Sequence, residues 1–155
     1  MSPGRMLLRM ELRSNPEVLC VVRGAVTRLA ELLGFSESDN HLVILALDEA
    51  MTNIIRHAYQ GQRERRIEVT FRLLSAARDG APRQALEIVL RDDGLPVNVK
   101  RLQPPPLQET PIEERKPGGL GVHFIRENMD KVEFRRRDGR NLLRLVKALP
   151  IEESH

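Results

Sequence analysis

Cysteine is almost absent: Cys20 stands alone among 155 residues. No disulfide can therefore close within the chain, and no cysteine-based zinc site can form. Tryptophan is missing and aromatics reach only 3%, which removes the stacking platforms that single-stranded nucleic acids use. The net charge is +3, yet Arg and Lys are interspersed with Asp and Glu and form no basic stripe, so a nucleic-acid surface is not expected. No apolar run approaches the length of a membrane-spanning helix, and the opening MSPGRMLLRMELRS carries charges where a signal peptide needs an apolar run. The expectation is a cytoplasmic protein with neither membrane nor direct nucleic-acid partners.

What is present, 41% hydrophobic and 30% charged residues, suits one globular domain spanning 1–155 around a single core. LLRMELRS (7–14) alternates as a strand does, and Asn15-Pro16 then offers a cap and a first-turn proline. A helix to about Leu33 follows, with Leu19, Val22, Val26, Leu29 and Leu33 on one face and Gly34 closing it. Ser36 caps a second helix that runs to about Tyr59. RIEVTFRLLSA (66–76) and QALEIVLRD (84–92) form a hairpin across the turn-rich RDGAPR. From Gly94 to Pro117 the chain holds six prolines and little periodicity, which suits a functional loop or an insert better than a connector. A short helix to about Asp130 and a second hairpin, KVEFRRR and NLLRLVKAL around DGR, complete the order. That order predicts an α/β (α+β) two-layer sandwich, with a mixed, mostly antiparallel sheet covered by helices on one face.

Three polar patterns stand out. In LALDEAMTNIIRHAY (45–59), Glu49, Asn53 and His57 are four apart on a helix whose other faces carry Leu47, Met51, Ile54 and Ile55. They are either a solvated stripe or a site with an acid able to take a proton and an amide oxygen able to bind Mg²⁺. LRDDGLP (90–96) falls where a strand ends. It is either a plain Asp-Gly turn or a carboxylate that accepts from an exocyclic amine, with Gly94 bare so that a flat ring can approach. GGLGVHFIREN (118–128) places glycines at a helix start, where free amides and the helix dipole suit phosphate, although a hinge would need the same residues. The chain lacks GxxxxGK followed by Ser or Thr, so it is not a P-loop, and the glycines follow a loop and not a strand, so it has no Rossmann fingerprint.

In this order the patterns resemble the GHKL ATPase superfamily with its Bergerat fold, and within it the anti-sigma-factor serine kinases of the sporulation and stress-response type. DEAMTNIIRHAY looks like the N box, RDDG like the first glycine box, and ERKPGGLGVHFIRENMD like the lid end and second glycine box. The resemblance implies a serine/threonine-protein kinase that uses ATP and Mg²⁺. Asn53 would hold the metal, Glu49 would be the catalytic base and Asp92 would contact the adenine amine. Gly119, Gly121 and nearby amides would cradle phosphates, with His57, Gly94, Lys116, Gly118, Leu120 and Val122 also in the nucleotide site and residues 96–117 as an ATP lid. It further implies a homodimer whose partners are a sigma factor and a STAS-type anti-sigma-factor antagonist. A nucleotide-gated binding module without kinase activity is the alternative. Two departures from the family pattern are visible: Pro96 replaces the second glycine of Asp-x-Gly-x-Gly, and the last strand lacks the threonine that often supports adenine. No dimerisation helix pair precedes the ATP-binding part, so a sensor histidine kinase is not expected.

Overall fold

The computed structural model describes residues 4–78, 80–97 and 119–151, and the side chains of these except 76–78, 81–82 and 119–123. Strand β1 (Arg5–Arg13) leads to a 3₁₀ turn (Pro16–Val18) and helix α1 (Leu19–Leu32). Helix α2 (Glu37–Asn53) continues as a π-helical turn (Ile54–Ala58). Then come β2 (Arg66–Arg78), β3 (Ala81–Asp92), α3 (Gly119–Asn128), β4 (Lys131–Arg137) and β5 (Arg140–Ala148).

Local chemistry accounts for the boundaries. The Asn15 side chain accepts from Glu17 N–H at 3.1 Å and starts the 3₁₀ turn with Pro16 behind it. Ser36 Oγ accepts from Asp39 N–H at 3.1 Å and caps α2. Gly34, with φ of +86°, lets the chain leave α1. Asp138 and Gly139 both take positive φ, as the tight β4–β5 turn requires.

The sheet order is β1-β2-β3-β5-β4, and every described ladder is antiparallel. The expected mixed sheet is thus antiparallel throughout its described strands. The connection from β3 through α3 to β4 skips one strand position, and β5 returns into it, so the two hairpins meet as antiparallel β3 and β5. The helices cover one face of the sheet, as the sequence predicts. Val22, Val26 and Ala30 of α1 and Val43, Ala46, Leu47, Ala50 and Met51 of α2 are buried there with Ile125 of α3. They share a core with Ile67, Val69 and Phe71 of β2, Leu86, Ile88 and Leu90 of β3 and Leu145 of β5. The alternate residues of the same strands form a lattice of ion pairs on the other face. Glu68 meets Arg9, Arg66 and Arg91 at 2.8, 3.1 and 3.2 Å, and Glu87 meets Arg144 at 2.6 Å. Among the described residues no helix is long and apolar enough to cross a membrane.

Candidate functional site

Helix α2 carries the first polar pattern. Glu49 and Asn53 are half-buried on it, and neither side chain makes a hydrogen bond or ion pair among the described residues, while His57 is exposed on the π-helical turn that follows. The turn is closed by Tyr59 N–H donating to Ile54 O at 2.9 Å, one residue wider than an α-helical bond, and such widened turns gather at functional positions.

The end of that turn touches the second pattern. The last carbonyls of a helix lack intrahelical donors, and Ala58 O takes its hydrogen from Leu95 N–H at 2.9 Å. Gly94 lies so close that a Cβ built on it would stand 2.5 Å from Ala58 O and 2.6 Å from Ala58 Cβ. The missing side chain of Gly94 is thus the space that the helix end occupies, a reason for glycine here that the flat-ring expectation did not include.

Asp92 is buried at the last position of β3. Its Oδ1 accepts from Gly94 N–H at 2.9 Å and from Asn141 Nδ2 at 2.8 Å. Burial raises its pKa above the ordinary carboxylate value, against the opposing pull of Asn141, Gly94 N–H and Arg136 and with Asp93 adding to the rise. A carboxylate held this way offers its other oxygen as an acceptor.

The third pattern begins α3. Gly119, Leu120, Gly121 and Val122 are its first four residues, whose amides have no acceptor within the helix and point outward at the positive end of its dipole. Helix α3 packs against α2, so the two elements are neighbours. Lys116 and Gly118 lie outside the described residues, as does the expected lid except for Pro96 and Val97.

Reading the sequence misses four residues that fasten this region. Tyr59 is buried; its hydroxyl donates to Arg66 O and accepts from Asp93 N–H at 2.9 Å. Burial also raises its pKa, which keeps the hydroxyl protonated as a donor. The Arg65 guanidinium lies over its ring, 4.9 Å from the centroid. Asn141, fully buried in β5, donates to Leu95 O at 2.8 Å besides Asp92, and Arg136 donates to Asn141 Oδ1 at 2.8 Å and to Gly94 O at 3.1 Å. The signals were slight: Tyr59 is the chain's one tyrosine, and Asn141 is a lone amide opening the apolar stretch NLLRLVKAL.

The donor set fits a magnesium nucleotide: an amide oxygen and a carboxylate on α2, a buried acceptor at the end of β3, and at the start of α3 the amides that a helix leaves without intrahelical acceptors.

Comparison with known proteins follows the same lines. Residues 12–147 match the family described as histidine kinase-like ATPase domain. The chain is 27% identical over 136 residues to the serine-protein kinase RsbW of Bacillus pumilus (strain SAFR-032), covering 86% of this chain and 80% of the relative. It is also 27% identical over 139 residues to RsbW of Bacillus thuringiensis (strain Al Hakam), covering 88% and 81%. The solved RsbU and RsbW domains of Rv1364c from Mycobacterium tuberculosis share the fold with a TM-score of 0.57 at 13% identity, over 93% of this chain and 34% of that one. The SiaB-SiaC complex from Pseudomonas aeruginosa does so at 0.54 and 16%, over 94% and 92%.

Proposed function

The chain belongs to the histidine kinase-like ATPase domain family, and from that premise we propose that it is a Mg-ATP-dependent anti-sigma-factor serine/threonine-protein kinase, which phosphorylates a serine on an antagonist protein and so switches partners with a sigma factor. One observation carries this reading. The contact of Ala58 with Gly94 and Leu95 joins the helix bearing Glu49 and Asn53 to the turn bearing Asp92, so groups suited to the two ends of a nucleotide belong to one packed unit. The kinase relatives at 27% identity support the reaction class.

Asp92 would accept from the base, Asn53 would ligate the metal through its amide oxygen, and the first amides of α3 would receive phosphate oxygens. Bound Mg-ATP supplies the transferable phosphoryl group, its charge partly neutralised by the metal. Glu49 takes the proton from the attacking serine hydroxyl.

Thermal unfolding with and without Mg-ATP tests the site. A ligand that binds only the folded state stabilises by about 2.7 kcal/mol at a hundredfold excess over Kd; the shift should be metal-dependent and lost in Asn53→Ala. No shift at millimolar nucleotide would refute nucleotide binding. Glu49→Gln should keep the shift and abolish phosphoserine formation on an antagonist. Wild-type protein that binds nucleotide and antagonist without forming phosphoserine would instead be a nucleotide-gated binding module.

A further inference from the structure

Asn141 sits opposite Asp92 in the β3–β5 ladder, and its amide is engaged on every side. Nδ2 reaches two acceptors, Asp92 Oδ1 and Leu95 O, each at 2.8 Å, while Oδ1 meets Arg136 Nη1 at 2.8 Å. A guanidinium has donors only and cannot lose its proton in a protein. Reversing the amide would set NH₂ against guanidinium and carbonyl oxygen against carboxylate, so one orientation alone satisfies its three partners. Arg136 also donates to Gly94 O at 3.1 Å, which ties the same guanidinium to the turn that Asp92 caps through Gly94 N–H.

Resting on the nucleotide site proposed above, we propose that Asn141 and Arg136 are positioning residues that set base specificity. Arg136 fixes the Asn141 amide, the amide keeps Asp92 Oδ1 occupied, and Asp92 Oδ2 is thereby presented as an acceptor for a 6-aminopurine and against a 6-oxopurine. In the 6-oxopurine, an acceptor would face the carboxylate with no proton between them. The pair does the work expected of a polar support on the last strand, from an amide and a neighbouring arginine instead of a threonine.

The groups that face Asp92 are the Asn141 amide from β5, Gly94 N–H from its own turn, Arg136 from β4 and Asp93 beside it. Asp93 is itself paired with Arg140 at 3.1 Å and has its N–H on Tyr59. Asn141 favours the ionised carboxyl. Its removal should move the pH at which nucleotide binding falls upward, toward neutrality, because binding is lost as Asp92 takes up a proton.

The experiment is isothermal titration of wild type, Arg136→Met, Arg136→Lys and Asn141→Leu with Mg-ATP and with Mg-ITP, the 6-oxo analogue, across pH. Wild type should prefer ATP. Arg136→Met should lower the ATP:ITP affinity ratio about tenfold, the effect of one hydrogen bond to a charged group, and Arg136→Lys should restore most of it. Asn141→Leu should lower the ratio at least as far and shift the pH profile upward. Should Asn141→Leu fail to fold, the exposed Arg136 pair decides. A wild type that binds ATP while the variants keep both ratio and pH profile would overturn this inference alone. A wild type that binds neither nucleotide would overturn the nucleotide site along with it.

Discussion

Replacing Gly94 by alanine should loosen the joint between α2 and the Asp92 turn without removing any polar group. The new Cβ would lie 2.5, 2.6 and 2.7 Å from Ala58 O, Cβ and C, distances that no real Cβ keeps, and two of those three atoms are backbone. Either the helix end or the turn must move. Overpacking of this kind costs about 1–3 kcal/mol, and stretching the Leu95 N–H to Ala58 O bond, 2.9 Å in the native chain, adds about 1 kcal/mol. For a domain of this size about 2–4 kcal/mol lowers the melting temperature by roughly 5–12 °C. The movement should also weaken the Gly94 N–H bond to Asp92, so the stabilisation by Mg-ATP should shrink with it. Gly24→Ala is the matched control. Gly24 lies inside α1 with nothing within 4 Å of a Cβ, and glycine is about 1 kcal/mol worse than alanine in a helix interior. That variant should melt roughly 2–4 °C higher and bind nucleotide as wild type does. Differential scanning calorimetry on both proteins settles the matter: Gly94→Ala melting within a degree of wild type would refute the packing account of this glycine.

Tyr59→Phe removes the hydroxyl shared by Arg66 O and Asp93 N–H; leaving these groups unpaired should cost about 1–3 kcal/mol, read as a lower denaturant midpoint with an unchanged slope. An unchanged midpoint would mean that water replaces the hydroxyl at no cost. Asp92→Asn should be more stable than wild type at neutral pH. The folded-state pKa of Asp92 is raised, chiefly by burial, so ionising it opposes folding above that pKa. The variant's advantage should fade as pH falls through the raised value toward the ordinary 3.8. An advantage that does not change across that range would exclude Asp92 ionisation as its source.

Much of this architecture was legible because local rules fixed it. Asn15, Ser36, Gly34 and the Asp138-Gly139 turn act within a few residues, and the helix faces of α1 and α2 follow from a 3.6-residue period. The insertion of β5 between β3 and β4 is a long-range choice that no periodicity encodes, and it makes the expected mostly antiparallel sheet antiparallel throughout its described strands. The site divides in the same way. Asp92 stands out as a candidate because a carboxylate before a glycine at a strand end is a local pattern. Asn141 was missed because its partner Asp92 lies 49 positions away and its value comes only from the β3–β5 register. At Gly94 the sequence shows that a glycine is bare but not that Ala58 needs the room.

The three patterns are individually ambiguous, and the packing at the end of α2 joins the first two in one unit. Ala58 O binds Leu95 N–H, the Ala58 side chain fills the space over Gly94, and Tyr59 spans from β2 to the residue after Asp92. The helix carrying Glu49 and Asn53 and the strand end carrying Asp92 are therefore coupled, while α3 packs on α2. Two classes of variant follow from this linkage. Changes at Gly94 or Tyr59, whose side-chain positions make the joint and are assigned no contact with the nucleotide, should lower stability and affinity together, because both depend on the same joint. Changes at Glu49, which takes no part in that joint, should leave stability and affinity alone and remove only the transfer step.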